Sequence, residues 1–128
     1  MKYLLDTNVI SELMRQTPSP SLVEKFKAKS KRCGLGAPTL YELEHGIAIL
    51  PDGARKRALA AGLAAFAGSM TVLPFDRAAA RWLAVANAKL RVAGKLGGML
   101  DGQIAAIAMT RGRILVTRRV GGPMRFAH

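Results

Sequence analysis

This chain has few carboxylates, and three of them lie at positions that are expected of a functional site. Eight aspartates and glutamates accompany twenty lysines and arginines in 128 residues. Five of the eight have an expected structural place: Asp52 and Asp76 as caps ahead of helices, and Glu12, Glu24 and Glu44 as solvated helix residues. The candidates for a functional site are the remaining three, Asp6, Glu42 and Asp101.

These three candidate acids are predicted to meet at one edge of a sheet. Asp6 ends the apolar run 3–5, which is typical of a buried strand entering a turn. Glu42 lies in the first turn of a helix that follows a second predicted strand, and Asp101 opens the apolar helical segment 100–109. If the strands run parallel, the starts of the helices that follow them converge at the carboxyl edge of the sheet, where α/β proteins place ligand sites.

Each candidate acid also has a structural explanation. Thr39 and Glu42 have the spacing of a capping box, in which the glutamate accepts a hydrogen bond from the threonine N–H. Asp6 can form an Asx-turn with the two residues that follow it. Asp101 can be an ordinary acid in the first turn of its helix, where the helix dipole favours it. Taken singly, these interpretations are preferred; taken together, the three acids favour a common site.

A cluster of three carboxylates would need a cation. Like charges about 4 Å apart repel by roughly 4 kcal/mol at an effective dielectric constant of about 20. A set of oxygen ligands suits Mg²⁺, with Mn²⁺ as a substitute, rather than Zn²⁺. Mg²⁺ held by carboxylates is also an arrangement that hydrolyses phosphodiesters. The three acids therefore predict a metal-dependent hydrolytic site.

The overall charge indicates a polyanionic partner. A net charge of +12 and an isoelectric point near 11.0 favour nucleic acid or an acidic protein. Half of the residues are hydrophobic, which excludes a wholly disordered chain, and a single cysteine excludes an internal disulfide framework. The longest apolar stretch, 58–68, is shorter than the roughly 20 residues that cross a bilayer. We therefore expect a cytoplasmic protein with no membrane association.

Short apolar runs alternate with helical periodicity along the chain. The predicted strands are 3–5, 35–37, 70–73 and 114–116. The predicted helices are 9–15, 21–31, 39–50, 54–68, 77–91 and 100–109. Short, continuously apolar strands between helices predict an α/β fold, with a parallel sheet covered on both faces. At this length we expect one domain that spans 1–128.

Five short segments, taken in order, carry a family resemblance. They are LLDTNVISE at 4–12, TLYEL at 39–43 with GI at 46–47, LPFD at 73–76, DGQIAA at 101–106 and LVTR at 115–118. Their order and spacing resemble those of the PIN-domain ribonucleases, and among them the VapC-type toxins of bacterial toxin–antitoxin pairs. The resemblance covers nearly the whole chain.

The resemblance implies a three-layer α/β/α fold, a short and mostly parallel sheet, and Mg²⁺-dependent endoribonuclease activity. It implies that the catalytic and metal-binding residues are the three candidate acids, Asp6, Glu42 and Asp101. Thr117 would help to orient water or phosphate, while Arg118 and Arg119 would contact RNA. The resemblance further implies a homodimer and a cognate antitoxin whose C-terminal segment covers the acidic pocket.

The C-terminal segment 113–128 departs from the family pattern. Arg119 stands where the family usually has asparagine, Gly122 stands where it usually has aspartate, and no acid follows Asp101. The short closing strand of the family is also expected to be missing. The alternative hypothesis is therefore a catalytically impaired PIN-like protein that binds antitoxin or nucleic acid without efficient cleavage.

Overall fold

A mostly parallel sheet lies at the centre of the protein. The computed structural model describes residues 1–94, 98–118 and 124–127. The strands of these ranges are β1 (Tyr3–Leu5), β2 (Cys33–Gly36), β3 (Thr71–Leu73), β4 (Ile114–Arg118) and β5 (Met124–Ala127). They lie in the order β3-β2-β1-β4-β5, in which β5 is antiparallel to β4 and the other pairs are parallel. The predicted fold class is confirmed.

Helices connect the parallel strands. In the described ranges they are α1 (Thr7–Leu13), α2 (Pro20–Lys29), α3 (Ala37–Ala48), α4 (Ala54–Ala67), α5 (Arg77–Val92) and α6 (Met99–Thr110). A 3₁₀ helix, Ser30–Arg32, leads from α2 into β2. Every predicted helix is present. Among the described residues, none of these helices has both the length and the apolar character needed to cross a membrane.

Local capping explains why the first three helices begin earlier than predicted. Asp6 caps α1, and its carboxylate accepts the N–H of Thr7. Pro20 and Pro38 lie in the first turns of α2 and α3. There the fixed φ of proline suits a helix, and its missing N–H would have had no helical partner anyway. The apolar periodicity identified the helices, whereas these residues set their boundaries.

The sheet is buried on both faces. Leu5 shares a buried cluster with Val9 of α1 and Leu35 of β2. Leu4, which points to the other face, shares a second cluster with Ile104 and Ile107 of α6. Because successive strand residues point to opposite faces, one short apolar strand supplies the core of both layers. The predicted three-layer α/β/α arrangement is confirmed.

The expectation that the closing strand is missing was wrong. Met124–Ala127 forms β5, which pairs with β4 in the register Val116 to Phe126. Strand pairing uses backbone N–H and C=O groups, so a segment with unfamiliar side chains can still close the edge of a sheet. Residues 119–123, which include Arg119 and Gly122, lie outside the described residues. That 1–128 forms a single domain stays a prediction.

Gly34 of β2 is expected to tolerate no side chain. A Cβ at this position would lie 2.7 Å from the carbonyl oxygen of Thr71, which belongs to the neighbouring strand and cannot move aside. We predict that Gly34→Ala lowers the free energy of unfolding by about 1–3 kcal/mol, the usual cost of overpacking. Urea denaturation followed by circular dichroism measures this change.

Gly46→Ala is the matched control for that substitution. A Cβ at Gly46 would meet no atom within 4 Å, and the residue lies inside α3. Alanine should therefore raise the free energy of unfolding by roughly 0.5–1 kcal/mol through helix propensity. Equal effects of the two substitutions would contradict the packing argument.

Candidate active site

Asp6 is fixed where β1 and β4 end side by side. Its backbone N–H donates to the carbonyl oxygen of Val116 at 2.9 Å, which continues the β1–β4 pairing by one residue. The Asp6 carboxylate accepts two further hydrogen bonds, from the N–H of Thr7 to Oδ1 at 2.7 Å and from Oγ1 of Thr117 to Oδ2 at 2.8 Å. The side chain is thus a helix cap and is also tied to the neighbouring strand.

Glu42 points toward α1 instead of capping its own helix. Its Oε1 accepts a hydrogen bond from Oγ1 of Thr7 at 2.7 Å. The capping-box interpretation was wrong, because α3 already begins at Ala37 with Gly36 as its N-cap, and Thr39 is a buried residue within the helix. Thr7 therefore stands between two of the candidate acids, with its N–H on Asp6 and its hydroxyl on Glu42.

Asp101 reaches the same edge of the sheet from α6. It lies in the first turn of that helix and is exposed. Its neighbour Gly102 allows α6 to pack closely on α5, since a Cβ there would lie only 3.0 Å from a methyl carbon of Leu83. Asp101 and Asp6 line one open cavity of about 370 Å³, together with Thr117. The predicted convergence therefore holds for these two acids.

The three candidate acids do not form one compact ligand cluster. Within residues 1–94, 98–118 and 124–127, no group of three or more His, Cys, Asp or Glu side chains is arranged to hold a metal ion. Asp6 and Asp101 share a cavity, whereas Glu42 does not line it and accepts a hydrogen bond from the hydroxyl of Thr7 instead. Mg²⁺ usually binds through one or two carboxylates and keeps several waters. The oxygen donors at this cavity therefore fit that ion, and the assignment of the site stays a prediction.

Glu12 was expected to be solvated, and that expectation was wrong. Its side chain is 12% exposed, and Oε2 accepts the backbone N–H of Ser19 at 3.0 Å. Oε1 lies 3.1 Å from Nη1 of Arg15 and 3.7 Å from Nη1 of Arg118. The Ser19 N–H, followed by the two arginines, lowers the pKa of the Glu12 carboxyl below its ordinary value. No sequence pattern links Glu12 to Arg118, because the pair is made only by folding.

Arg118 is a positively charged residue in the lining of the acidic cavity. It lines that cavity and also a neighbouring cavity of about 540 Å³ that contains Glu12 and Ser19. Its side chain is 11% exposed, so the guanidinium is held in place rather than solvated. The other predicted RNA contact, Arg119, lies outside the described residues.

The remaining carboxylates either cap a helix or are exposed on the surface. Asp76 caps α5 as predicted, accepting the N–H of Ala79 at 3.1 Å, and it pairs with Arg111. The prediction for Asp52 was wrong, because Gly53 occupies the cap of α4 and the Asp52 carboxylate is fully exposed beside Lys56. Glu24 and Glu44 are exposed on their helices, as expected.

Comparison with known proteins identifies the family. The sequence profile of the PIN domain matches residues 3–118. This chain belongs to the PIN-domain family. The match begins at the strand that carries Asp6 and ends at Arg118, so it contains all three candidate acids.

The relatives of the chain include ribonucleases of the VapC type. VapC ribonuclease Y4jK of Sinorhizobium fredii is 39% identical over 121 residues, which cover 90% of this chain and 85% of that protein. The tRNA(fMet)-specific endonuclease VapC of Shigella flexneri is 32% identical over 128 residues, covering 95% of this chain and 94% of that protein. The chain therefore belongs to the VapC-type endoribonucleases within the PIN-domain family.

Solved structures show the same PIN-domain fold. FitAcB from Neisseria gonorrhoeae superimposes with a TM-score of 0.79 at 33% identity, covering 93% of this chain and 88% of that one. Several VapBC and FitAB structures bound to DNA share the fold as well.

Glu12 of this PIN domain is expected to make stability depend on pH. Its pKa is lowered in the folded state, so its contribution is complete above the unfolded pKa of about 4.3 and is lost as the pH falls through the folded pKa. We predict that Glu12→Gln lowers the thermal midpoint at pH 7, and that this difference from wild type narrows as the pH falls below the unfolded pKa. Circular dichroism melts from pH 7 to pH 3 measure it.

Glu44→Gln provides the control on an exposed face of α3. It removes the same charge without breaking a buried contact and should leave the midpoint unchanged. A Glu12→Gln difference that stayed constant across the pH range would contradict the electrostatic explanation.

Proposed function

We propose that this chain is the toxin of a type II toxin–antitoxin pair and cleaves RNA as a Mg²⁺-dependent endoribonuclease. The observation that carries the proposal is the open cavity lined by Asp6 and Asp101. Membership of the VapC-type endoribonucleases supplies the reaction class. A chain with a net charge of +12 is suited to a substrate that is a polyanion.

The residues that would hold Mg²⁺ are Asp6 and Asp101, with Glu42 as the third acid. Mn²⁺ would substitute, since carboxylate oxygens suit both ions. A bound divalent ion supplies an acidified water and stabilises negative charge that develops on a phosphate. Glu42 accepts the hydroxyl of Thr7, whose backbone N–H donates to Asp6, so Glu42 would join either through a water molecule or after the Thr7 side chain turns aside.

The residues around the cavity have separate tasks in this proposal. Thr117 donates to Oδ2 of Asp6, and Thr7 N–H donates to Oδ1, so the carboxylate is oriented before anything binds. Arg118 lines the cavity with its guanidinium held near Glu12, and it would contact an RNA phosphate that enters the cavity. Arg119 is proposed as a further RNA contact on the basis of the family resemblance alone.

The proposed partners follow from the family. The toxin FitB of Neisseria gonorrhoeae is among the relatives, which supports a cognate antitoxin. A homodimer and a cytoplasmic location are part of the same proposal.

A second candidate function is a PIN-domain protein that binds antitoxin or RNA without efficient cleavage. The absence of a three-ligand cluster among the described residues favours it. The same assays separate the two candidates, because an impaired protein would bind RNA and leave it intact in the presence of Mg²⁺.

Cleavage is tested by replacing the two acids that share the cavity. With Mg²⁺ and initiator tRNA as the first substrate, we expect Asp6→Asn and Asp101→Asn each to reduce cleavage more than about 100-fold, beyond the usual effect of losing a residue that only supports a metal site. Binding of Mn²⁺, measured by electron paramagnetic resonance, should weaken in parallel. Gel electrophoresis of end-labelled RNA measures the rate.

Asp52→Asn is the control, because that carboxylate is fully exposed and remote from the cavity residues. It should leave cleavage and Mn²⁺ binding unchanged. Cleavage that survives in both cavity variants would overturn the assignment, and wild-type protein that binds RNA but never cleaves it would favour the second candidate.

Thr117 is expected to act as a positioning residue for Asp6. Thr117→Val removes the hydroxyl that donates to Oδ2 while keeping the shape of the side chain. We predict a loss of about 10–100-fold in Mn²⁺ affinity and in cleavage. Thr117→Ser restores the hydroxyl and should recover most of both; wild-type Mn²⁺ affinity and cleavage in Thr117→Val would contradict the positioning role of the hydrogen bond.

A further inference from the structure

Arg118, the last residue of β4, lies between two cavities. It lines the acidic cavity that contains Asp6 and Asp101. It also lines the neighbouring cavity of about 540 Å³, which contains Glu12. Nη1 of Arg118 lies 3.7 Å from Oε1 of Glu12, and the two side chains are only 11% and 12% exposed. A guanidinium group beside the acidic cavity is therefore paired with a carboxylate that does not line that cavity.

The position of Arg118 in its strand explains this pairing. Because successive strand residues point to opposite faces of a sheet, Arg118 follows the side of Val116, which shares a buried cluster with Val9 of α1. Glu12 comes three residues after Val9 and lies on the same side of that helix. Asp101 belongs to α6, whose residues pack on the other face of the sheet. Helix α1 therefore brings a carboxylate to Arg118 on the side of the sheet away from α6.

Glu12 is itself held in place. Its Oε2 accepts the backbone N–H of Ser19 at 3.0 Å, and its Oε1 lies 3.1 Å from Nη1 of Arg15, whose side chain is 65% exposed. The Ser19 N–H is the largest cause of the lowered pKa of Glu12, so this carboxyl group keeps its negative charge at neutral pH. Arg118 therefore meets a fixed carboxylate that is charged whenever the aspartates of the cavity are charged.

The aspartates of the acidic cavity would otherwise compete for Arg118. In the described part of the chain, neither Asp6 nor Asp101 takes part in an ion pair. Arginine stays protonated at every working pH, and its guanidinium can form two parallel hydrogen bonds with one carboxylate. A guanidinium bound in that way would occupy the oxygens that a divalent ion needs and would also repel the ion. Only another carboxylate can hold such a group elsewhere.

We propose that Glu12 is a positioning residue that holds Arg118 away from Asp6 and Asp101, and so keeps both aspartates free for a divalent ion. The inference rests on the proposed function, which supplies the ion. Glu12 contacts neither the ion nor the RNA in this role and acts only through Arg118. Arg118 itself stays in the lining of the cavity, where it would contact an RNA phosphate.

The first test is Mn²⁺ binding to the full chain, measured by electron paramagnetic resonance well below the thermal midpoint of each variant. Glu12→Gln keeps the shape of the side chain and removes the charge that pairs with Arg118. It should weaken Mn²⁺ binding by about tenfold, the effect expected when a residue that supports a metal site is lost. The double variant Glu12→Gln/Arg118→Gln should restore the wild-type affinity, because no guanidinium is left to compete. If Glu12 only stabilised the fold, removing Arg118 as well would restore nothing.

Two single variants are the controls for Mn²⁺ binding. Glu24→Gln removes the same charge from an exposed position of α2, and Arg15→Gln removes the exposed partner of Glu12. Both should bind Mn²⁺ as wild type does. The inference would be overturned if Glu12→Gln bound Mn²⁺ as tightly as Glu24→Gln, or if the double variant stayed as weak as Glu12→Gln alone.

A crystal structure of metal-free Glu12→Gln separates this inference from the proposed function. We expect Arg118 to hydrogen-bond Asp6 or Asp101 in that variant, whereas in the wild type it pairs with Glu12. An Arg118 side chain that stayed beside α1 would contradict the inference, whether or not the protein cleaves RNA. Wild-type protein that bound no Mn²⁺ would instead overturn the proposed function, and with it the role assigned to Glu12.

Discussion

The carboxylate of Asp6, held between two hydrogen-bond donors, is the contact on which the site depends. Thr7 N–H and the Thr117 hydroxyl take one oxygen each, so the side chain joins the start of α1 to the end of β4 across 111 residues of sequence. The same aspartate begins the first helix and faces the cavity. In the proposed function the carboxylate that caps α1 would also bind the metal ion, so a substitution there is expected to affect both stability and cleavage.

Electrostatics explains why the acids are near one another without touching. Two carboxylates at contact distance repel by several kcal/mol unless a cation lies between them. Thr7 contacts both Asp6, through its N–H, and Glu42, through its hydroxyl, while Asp6 and Asp101 line one open cavity. In the proposed function a divalent ion would occupy the cavity and offset the repulsion between the two aspartates. Positive charge collects at the other edge of the sheet, around Tyr3.

The sequence predicted the fold in most of its parts, because apolar runs and helical periodicity are local signals. Every predicted strand and helix is present, with boundaries moved by capping residues such as Asp6 and Pro38. The sequence also predicted that Asp6 and Asp101 lie at the same edge of the sheet, because α/β proteins place ligand sites at the carboxyl ends of parallel strands. The sequence could not predict that Glu42 accepts a hydrogen bond from Thr7, nor that Glu12 accepts one from the backbone N–H of Ser19. Both contacts depend on how separate helices pack. The strand β5 escaped prediction because backbone pairing does not need a recognisable sequence.

The central claim is that Asp6 and Asp101 jointly hold a divalent ion. A crystal structure of the protein grown with Mn²⁺, with anomalous diffraction data, tests it most directly. We expect a single strong anomalous peak in the cavity, from an ion bound to one carboxylate oxygen of each of the two aspartates. A cavity without a peak at saturating Mn²⁺, or an ion bound by neither aspartate, would contradict it.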